Sequence, residues 1–337
     1  TKASSRPSLY LVECICCHPT LENPVVTEPN PPSKTERDRP PNLGARRDGP
    51  GLIRLSVQCL ALLFLLPLSA QLAATDAPAW WLAAILSGVA LLMFFPLLHE
   101  CGHQTAFVSP VMNELGVWLG ALAMGQAPTF FREFHWEHHR STQNRDTDPE
   151  ISALPDFLDG WPPNPITYLG LATGQYLLIG KLGFTLLCAL TPQALWTGLF
   201  PFIRESRRRR LAWESRLAVV LISGFVSLGL LRVPGFACAL VAWPIAHLFL
   251  GPYLMAEHTG LAHQGTQFDR TRSVRSNAVV RWIMWNMPYH SEHHAYPGVP
   301  FHELPSLHKQ VSNKIVNTEV GYLHFQFKAL RRAFHLS

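Results

Sequence analysis

The sequence predicts an all-α, integral-membrane protein. Its four transmembrane helices would form two hairpins below a cytosolic helical cap that carries three histidine clusters. Only 15% of the 337 residues are charged and 48% are hydrophobic, whereas about 25% of the residues in soluble domains are charged. Four apolar runs, in two closely spaced pairs, reach the length of about 20 residues that a helix needs to cross the hydrocarbon core. A mean hydropathy of only +0.10 leaves room for substantial polar parts.

The N-terminal segment, residues 1–50, is rich in Pro and Arg and lacks apolar periodicity, so it is predicted to be disordered. Nothing in it resembles a secretory signal. Cys14, Cys16, Cys17 and His18 lie close together, but no second Cys/His pair at zinc spacing follows, and we expect no metal site there. A membrane domain is predicted over residues 51–312 and a cytosolic tail over residues 313–337.

The apolar runs pair through very short links. The first hairpin joins residues 55–75 to residues 77–98, and the second joins residues 211–231 to residues 233–256. Links this short place consecutive helices side by side in opposite directions. Each pair is therefore predicted to cross the membrane and return.

Two further apolar stretches are ambiguous. Residues 115–131 contain several glycines and Pro128, and are short for a full crossing. Residues 166–190 are long enough, but Lys181 interrupts them. Both are expected to be re-entrant or interfacial.

The distribution of arginines predicts the orientation of the hairpins. The only charged residues in the loops within the two hairpins are Asp76 and Arg232. The chain before the hairpins is rich in arginine, with Arg46, Arg47, Arg54, Arg204 and residues 207–210. By the positive-inside rule, the hairpin tips lie outside and the ends lie in the cytosol. We therefore interpret the net charge of +5 as a topology signal and a contact with anionic surfaces, rather than as nucleic-acid binding.

Three histidine clusters follow the apolar runs: HECGH at residues 99–103, HWEHH at residues 135–139 and HSEHH at residues 290–294. Histidines four residues apart lie on one face of a helix, and neutral imidazole suits iron or zinc. The three clusters contain eight such side chains, which are His99, His103, His135, His138, His139, His290, His293 and His294. Eight imidazoles exceed what one tetrahedral metal uses, and this number favours two metals. All can face the cytosol if residues 115–131 do not cross the membrane.

Two other classes of function use part of this pattern. HECGH satisfies the HExxH pattern of zinc peptidases, with Glu100 as general base, but leaves the other two clusters unexplained. A metal transporter or sensor would place its ligands within the spans rather than at their cytosolic ends.

The three clusters, in this order and after membrane hairpins, resemble the three histidine boxes of the membrane fatty acid desaturase superfamily. Residues 286–308 and the segment Thr147-Asp148-Pro149-Glu150 are also similar to that family. The resemblance covers roughly residues 55–310, and it makes the membrane domain over residues 51–312 desaturase-like.

The resemblance implies a di-iron centre held by the eight histidines, with a ninth ligand at the end of the fourth apolar run. Residues 256–261, AEHTGL, look like the EHxG segment of the related alkane hydroxylases, which favours His258 as that ligand. His263 is the rival, and spacing leaves open which iron each histidine serves. Ligating imidazoles need their second nitrogen held, and the candidates for this role are Asp148, Glu257 and Asn286.

The remaining histidines have weaker assignments. His247 lies three helical turns before His258, and either lines a substrate channel or is packed within the membrane. His302, His308, His324 and His335 are expected at the surface.

The activity that the resemblance implies is O₂-dependent oxidation of an unactivated C–H bond in a lipid or alkyl chain. Fatty acyl desaturation is favoured, and hydroxylation of an alkyl or terpenoid substrate is the alternative. The third cluster begins with His290 rather than Gln, which argues against front-end desaturases. No haem-binding His-Pro-Gly-Gly segment occurs, so a separate electron donor of ferredoxin or cytochrome b5 type is expected, attracted by the basic face.

Overall fold

The structure is a computed structural model that describes residue 43, residues 45–152 and residues 160–335, all within the compact unit formed by residues 39–337. The Cys14 cluster and nearly all of the predicted N-terminal segment lie outside these residues. The described chain is mostly helical, as predicted. Its helices are α1 (Asp48–Ala74), α2 (Trp80–Leu92), α3 (Phe94–Gly102), α4 (Pro110–Ala123), α5 (Pro128–Ser141), α6 (Pro165–Ala172), α7 (Gln175–Leu190), α8 (Trp196–Leu199), α9 (Glu205–Leu230), α10 (Pro234–His258), α11 (Gln267–Arg270), α12 (Ala278–Ile283), α13 (His290–Ala295), α14 (Leu304–Val311) and α15 (Tyr322–Ala333).

Four helical segments in the described part of the chain are long and apolar enough to span a membrane: α1, α2 together with α3, α9 and α10. They correspond to the four predicted runs, although α1 begins at Asp48, seven residues before the predicted start. Helix α1 packs against α2, α9 packs against α10, and α10 also packs against α2. Helix α10 therefore lies at the centre of the spans.

The second span is broken at Met93, between α2 and α3. Pro96 explains the break, because it has no N–H to donate to the carbonyl four residues earlier and its ring crowds that carbonyl. Helix α3 is buried along its whole length and ends in the first histidine cluster.

Residues 115–131 do not form one element but divide into α4 and α5. The chain turns at Gly125, whose φ of +78° lies in the left-handed region that glycine adopts freely. Helix α5 carries the second histidine cluster, and α9 anchors it. Glu214 accepts a 2.7 Å hydrogen bond from the Thr129 N–H, and Glu133 pairs with Arg204 at 2.6 Å. Arg204, which the positive-inside rule places in the cytosol, therefore also forms an ion pair that holds α5.

Residues 166–190 form α6 and α7, which are bent by 63° at the residues between them and represent either a broken span or a re-entrant loop. The bend lies against α10. A Cβ atom added to Gly174 would lie 1.9 Å from the carbonyl oxygen of His247. Only glycine permits this close approach, and its φ of +66° is again left-handed.

The segment after α10 covers the end of the spans with short elements. Strand β1 (Ser273–Val274) pairs in parallel with β2 (Thr318–Glu319), and α11 packs on α13. Trp285, Phe301 and Leu304 are fully buried beneath α13. Helix α15, within the segment expected to be a tail, packs against α6 and α10.

Candidate metal centre

Nine histidines from four helices converge at the ends of the spans. His99 lies on α3 and His103 directly follows it, and His258 is the last residue of α10. The other six are on α5 and α13: His135, His138, His139, His290, His293 and His294. Eight of the nine are buried and His135 is half-buried. The fold therefore unites three clusters that are separated by up to 191 positions of sequence.

The larger set, which we name the five-histidine group, consists of His99, His103, His135, His139 and His293. One ring nitrogen from each lies within 4.8 Å of those of all the others. The Nε2 atom of His135 lies 2.9 Å from Nε2 of His103 and 3.1 Å from Nε2 of His139. The ring nitrogens therefore converge on one point.

The smaller set, the four-histidine group, consists of His138, His258, His290 and His294. Ring nitrogens of His138, His258 and His294 lie within 4.8 Å of one another, and Nε2 of His290 lies 2.8 Å from Nε2 of His258. The two groups adjoin, since the ring centroids of His139 and His294 are 4.1 Å apart. The spacing of the histidines in the sequence did not predict which of them belong to which group.

The arrangement of nitrogens fits two metal ions. Imidazole nitrogens bind such metals at about 2.1 Å, so two neighbouring ligands lie about 3 Å apart. This matches the Nε2 separations of 2.8–3.2 Å. Buried Nε2 atoms of His99 and His294 also lack a hydrogen-bond partner among the described residues. Nine imidazoles form a donor set that suits iron or zinc.

In the four-histidine group, the second nitrogen of each of three rings has a hydrogen-bond acceptor. His138 Nδ1–H donates to Asp148 at 3.0 Å, His258 Nδ1–H to the Arg270 carbonyl at 3.2 Å, and His294 Nδ1–H to the Thr142 hydroxyl at 3.2 Å. These bonds fix tautomers with a free Nε2 lone pair. Nδ1 of the fourth ring, His290, lies 3.4 Å from Glu257 but makes no hydrogen bond among the described residues.

The five-histidine group is held differently. Nδ1 of His99 lies 3.1 Å from Glu100, whose other oxygen accepts bonds from the Thr105 hydroxyl and the Phe301 N–H. Nδ1 atoms of His103, His139 and His293 are buried and make no hydrogen bond in the part of the chain that the structure describes. Their rings are oriented by packing on each other and on aromatic neighbours.

Burial keeps most of these rings in the neutral state that binds metal. It lowers the pKa of His293 to about 3 and holds the pKa values of His103, His135, His139, His290 and His294 well below their usual range. His138 is the exception. Burial also opposes its charge, but Asp148 and Glu150 outweigh burial and raise its pKa to about 9.

Other predicted residues lie elsewhere. Asn286 donates to the Phe301 carbonyl at 3.0 Å rather than to a ligand ring. His263 lies beyond the left-handed turn at Gly260 and its Nδ1 contacts the Gln143 carbonyl at 2.9 Å, so it is outside both groups. His247 is fully buried and donates to the Trp243 carbonyl within α10, which agrees with the packed alternative.

One surface expectation needs correction. The side chain of His302 is only 9% exposed, because the turn after α13 folds it beside Phe301 and Glu303. His308 is partly exposed, but it pairs with the buried Glu292. His324 and His335 are exposed, as expected.

Several residues that shape the site were not predicted. Thr142 accepts from His294 and donates to the His138 carbonyl. Arg272 donates to the carbonyls of Ala256 and Thr259, and so caps the end of α10 beside His258. Arginine near a helix C-terminus is a recognisable signal, but Arg272 follows α10 by fourteen residues, and only the folded chain brings them together.

Comparison with known proteins identifies the family. The family model for fatty acid desaturases matches residues 76–326, which is most of the chain and includes all nine histidines. The chain belongs to the fatty acid desaturase family. The resemblance drawn from the histidine clusters is therefore confirmed.

Curated relatives of this desaturase-family chain act on different substrates, according to their names. It is 23% identical over 256 residues to the Delta(8)-fatty-acid desaturase of Euglena gracilis, covering 69% of this chain and 60% of that protein. It is 24% identical over 238 residues to the sphingolipid delta(4)-desaturase of Komagataella phaffii, covering 67% and 59%. It is also 25% identical over 282 residues to the dihydrorhizobitoxine desaturase of Bradyrhizobium elkanii, covering 74% and 72%. The chain thus spans about 60% of the length of the first two.

Proposed function

We propose that this chain is a membrane-bound di-iron oxidoreductase that desaturates an alkyl chain of a lipid. The observation that carries the proposal is the convergence of nine histidines into two adjoining, largely buried groups of five and four. One mononuclear site would not use so many imidazoles. All nine are proposed as metal ligands, with His258 completing the four-histidine group.

The chemistry proposed for the two irons is activation of O₂ and abstraction of hydrogen from an unactivated C–H bond. Two hydrogens leave the substrate as the double bond forms. With two electrons from a separate donor of ferredoxin or cytochrome b5 type, and two protons from the aqueous phase, O₂ becomes two waters. The chain's own part is to supply neutral imidazoles, to fix their orientation through Asp148 and Thr142, and to keep bulk water out through burial.

The proposed topology has both hairpin tips outside and the metal centre on the cytosolic face, within the domain over residues 51–312. Its support is the arginine distribution and the position of His99 and His258 at the same ends of adjacent spans. Cysteine labels near Asp76 and Arg232 should react from outside, and labels near Gln143 and Ser291 from the cytosol. Labelling of Gln143 and Ser291 from opposite sides contradicts this topology.

The substrate proposed is a fatty acyl or sphingoid chain, because two of the relatives described above carry those substrates in their names. The test is to incubate the purified protein in lipid with reductase, ferredoxin, O₂ and a panel of such lipids, and to identify products by mass spectrometry. A mass loss of two hydrogens supports desaturation. Gain of one oxygen supports the hydroxylation alternative, and iron-loaded protein that oxidises nothing in the panel contradicts the substrate class.

The contacts of Glu100 favour this function over a zinc peptidase. A peptidase would need that carboxylate to face a metal-bound water as general base. Glu100 is instead fully buried, and its oxygens contact His99, Thr105 and the Phe301 N–H. It therefore positions a ligand.

A further inference from the structure

Helix α15 has apolar side chains on two opposite faces, and the described part of the chain covers only one of them. Phe325, Ala329 and Ala333 are buried against the rest of the chain. Leu323 and Phe327, about half a turn away, are 88% and 56% exposed. Phe334 continues the exposed stripe just beyond the helix at 48%. We name Leu323, Phe327 and Phe334 the α15 ridge.

A basic flank separates the ridge from the buried face on one side. His324, Lys328 and Arg331 lie about a quarter turn from the ridge on a helix with 3.6 residues per turn. Lys328 pairs with Glu319 at 2.8 Å, and the Arg331 guanidinium lies 5.6 Å from the Phe327 ring. The helix therefore presents protein contacts, an apolar stripe and a basic stripe on three different sides.

The depth of α15 follows from its contacts with α10. Gln326 donates to the carbonyl of Pro252 at 2.7 Å and accepts from the Tyr168 hydroxyl of α6 at 3.1 Å. Pro252 precedes His258 by six residues, which places it about 9 Å back along α10 towards the membrane interior. Helix α15 thus lies alongside the end of a span rather than above the metal centre.

The helix next to α15 also exposes apolar side chains. Helix α6, which contacts α15, exposes Ile166 at 84% and Leu169 at 55%. Trp161 lies at the same place, under the guanidinium of Arg332 at 4.3 Å and stacked on Phe325. Tryptophan and arginine together are typical of the boundary between lipid headgroups and acyl chains.

We propose that α15 is an interfacial helix whose ridge inserts into the headgroup–acyl boundary of the cytosolic leaflet, with the basic flank on anionic headgroups. Amphipathic helices with Leu or Phe on one face and Lys or Arg on another lie in this plane and bury their apolar side by about 5–10 Å. The contact of α15 with the span α10, and the exposed apolar side chains of the adjacent α6, favour lipid over a second copy of the chain as the occupant. The segment over residues 313–337 is then a membrane contact and not a free cytosolic tail.

The test introduces the photo-crosslinker p-benzoylphenylalanine into the full chain, reconstituted in nanodiscs of phosphatidylcholine with phosphatidylglycerol. The positions are Leu323 and Phe327 on the ridge, His324 on the flank, and Leu63, which is 73% exposed on α1, as the positive control. Adducts are identified by mass spectrometry, and iron content verifies that each variant is folded.

Adducts on lipid acyl chains are expected at Leu323 and Phe327 within about two-fold of the yield at Leu63. The yield of acyl-chain adducts at His324, which faces the headgroups, should be at least five-fold lower. Removing phosphatidylglycerol should lower the yield at Leu323 at least two-fold, and an unchanged yield would overturn the role of the basic flank. Crosslinks between two protein chains at the ridge would overturn the proposal in favour of a dimer. Ridge positions without lipid adducts, while Leu63 is labelled, would overturn it outright.

Discussion

The two histidine groups are built from the same side chain but are oriented by different means. In the four-histidine group, Asp148, Thr142 and the Arg270 carbonyl each hold the outer nitrogen of a ring. In the five-histidine group, only His99 has such a partner among the described residues, Glu100. The remaining rings there rely on helix packing. The two proposed metal sites should therefore respond to different substitutions, and this separation can be tested one group at a time.

The largest effect is expected from removing a ligand of the four-histidine group. His258→Ala should abolish activity and remove one of two irons, because losses even of residues behind the ligands cost about 10–100-fold in affinity or activity. His263→Ala is the matched control, since it lies five residues away and outside both groups. Iron per chain and turnover at equal folded yield are the measurements. Full iron in His258→Ala, with loss in His263→Ala, would transfer the role to His263.

The next effect concerns the carboxylate behind His138. Asp148→Asn keeps the shape of the side chain but removes the negative charge from the group that accepts the His138 Nδ1–H. The iron affinity of the four-histidine group should therefore fall about 10–100-fold. Asp146→Asn, at an exposed neighbouring position, should have no effect. Iron titration followed by spectroscopy resolves the two sites. Equal weakening of both sites in Asp148→Asn would show that the groups are not independent.

The corresponding substitution in the five-histidine group is at Glu100, which contacts His99. Glu100→Gln replaces a carboxylate that accepts hydrogen bonds from three donors by an amide whose NH₂ group cannot accept one. The iron affinity of the five-histidine group should fall about ten-fold. The four-histidine group should retain its iron. Thr105→Val serves as the comparison, because it removes one of those donors and leaves the charge in place. Loss of the four-histidine iron instead would reverse the assignment.

The smallest effect is expected at Thr142. Thr142→Val removes the acceptor for His294 with little change in volume, and a single hydrogen bond contributes about 0.5–1.5 kcal/mol. Activity should fall about two- to ten-fold, and Thr142→Ser should restore it because the hydroxyl returns. Activity of Thr142→Ser as low as that of Thr142→Val would show that packing of the methyl group, and not the hydroxyl, matters.

The sequence predicted the spans and the histidine clusters because both are local patterns. Apolar runs of about 20 residues and histidines at i and i+4 depend on helix geometry alone. The break at Met93 was missed, although Pro96 could have signalled it. The structure places Asp148 beside His138. Asn286 instead bonds to Phe301, a contact that depends on how the chain after α13 folds back.

The division of the histidines and the contacts of Thr142 and Arg272 could not be predicted. They arise where α5, α10 and α13 meet, and the spacing of residues within one helix says nothing about which rings of another helix they face. The position of α15 was missed for the same reason. Its amphipathic pattern is local, but its attachment to Pro252 is a contact over 74 positions.

The central claim is that two irons occupy these two groups. It is tested most directly by the iron content of the purified protein, expressed with ample iron, together with anomalous scattering at the iron edge to locate each ion. The account predicts close to two irons per chain, one within the five-histidine group and one within the four-histidine group. A single zinc per chain with negligible iron, or two irons that both lie outside the four-histidine group, would contradict it.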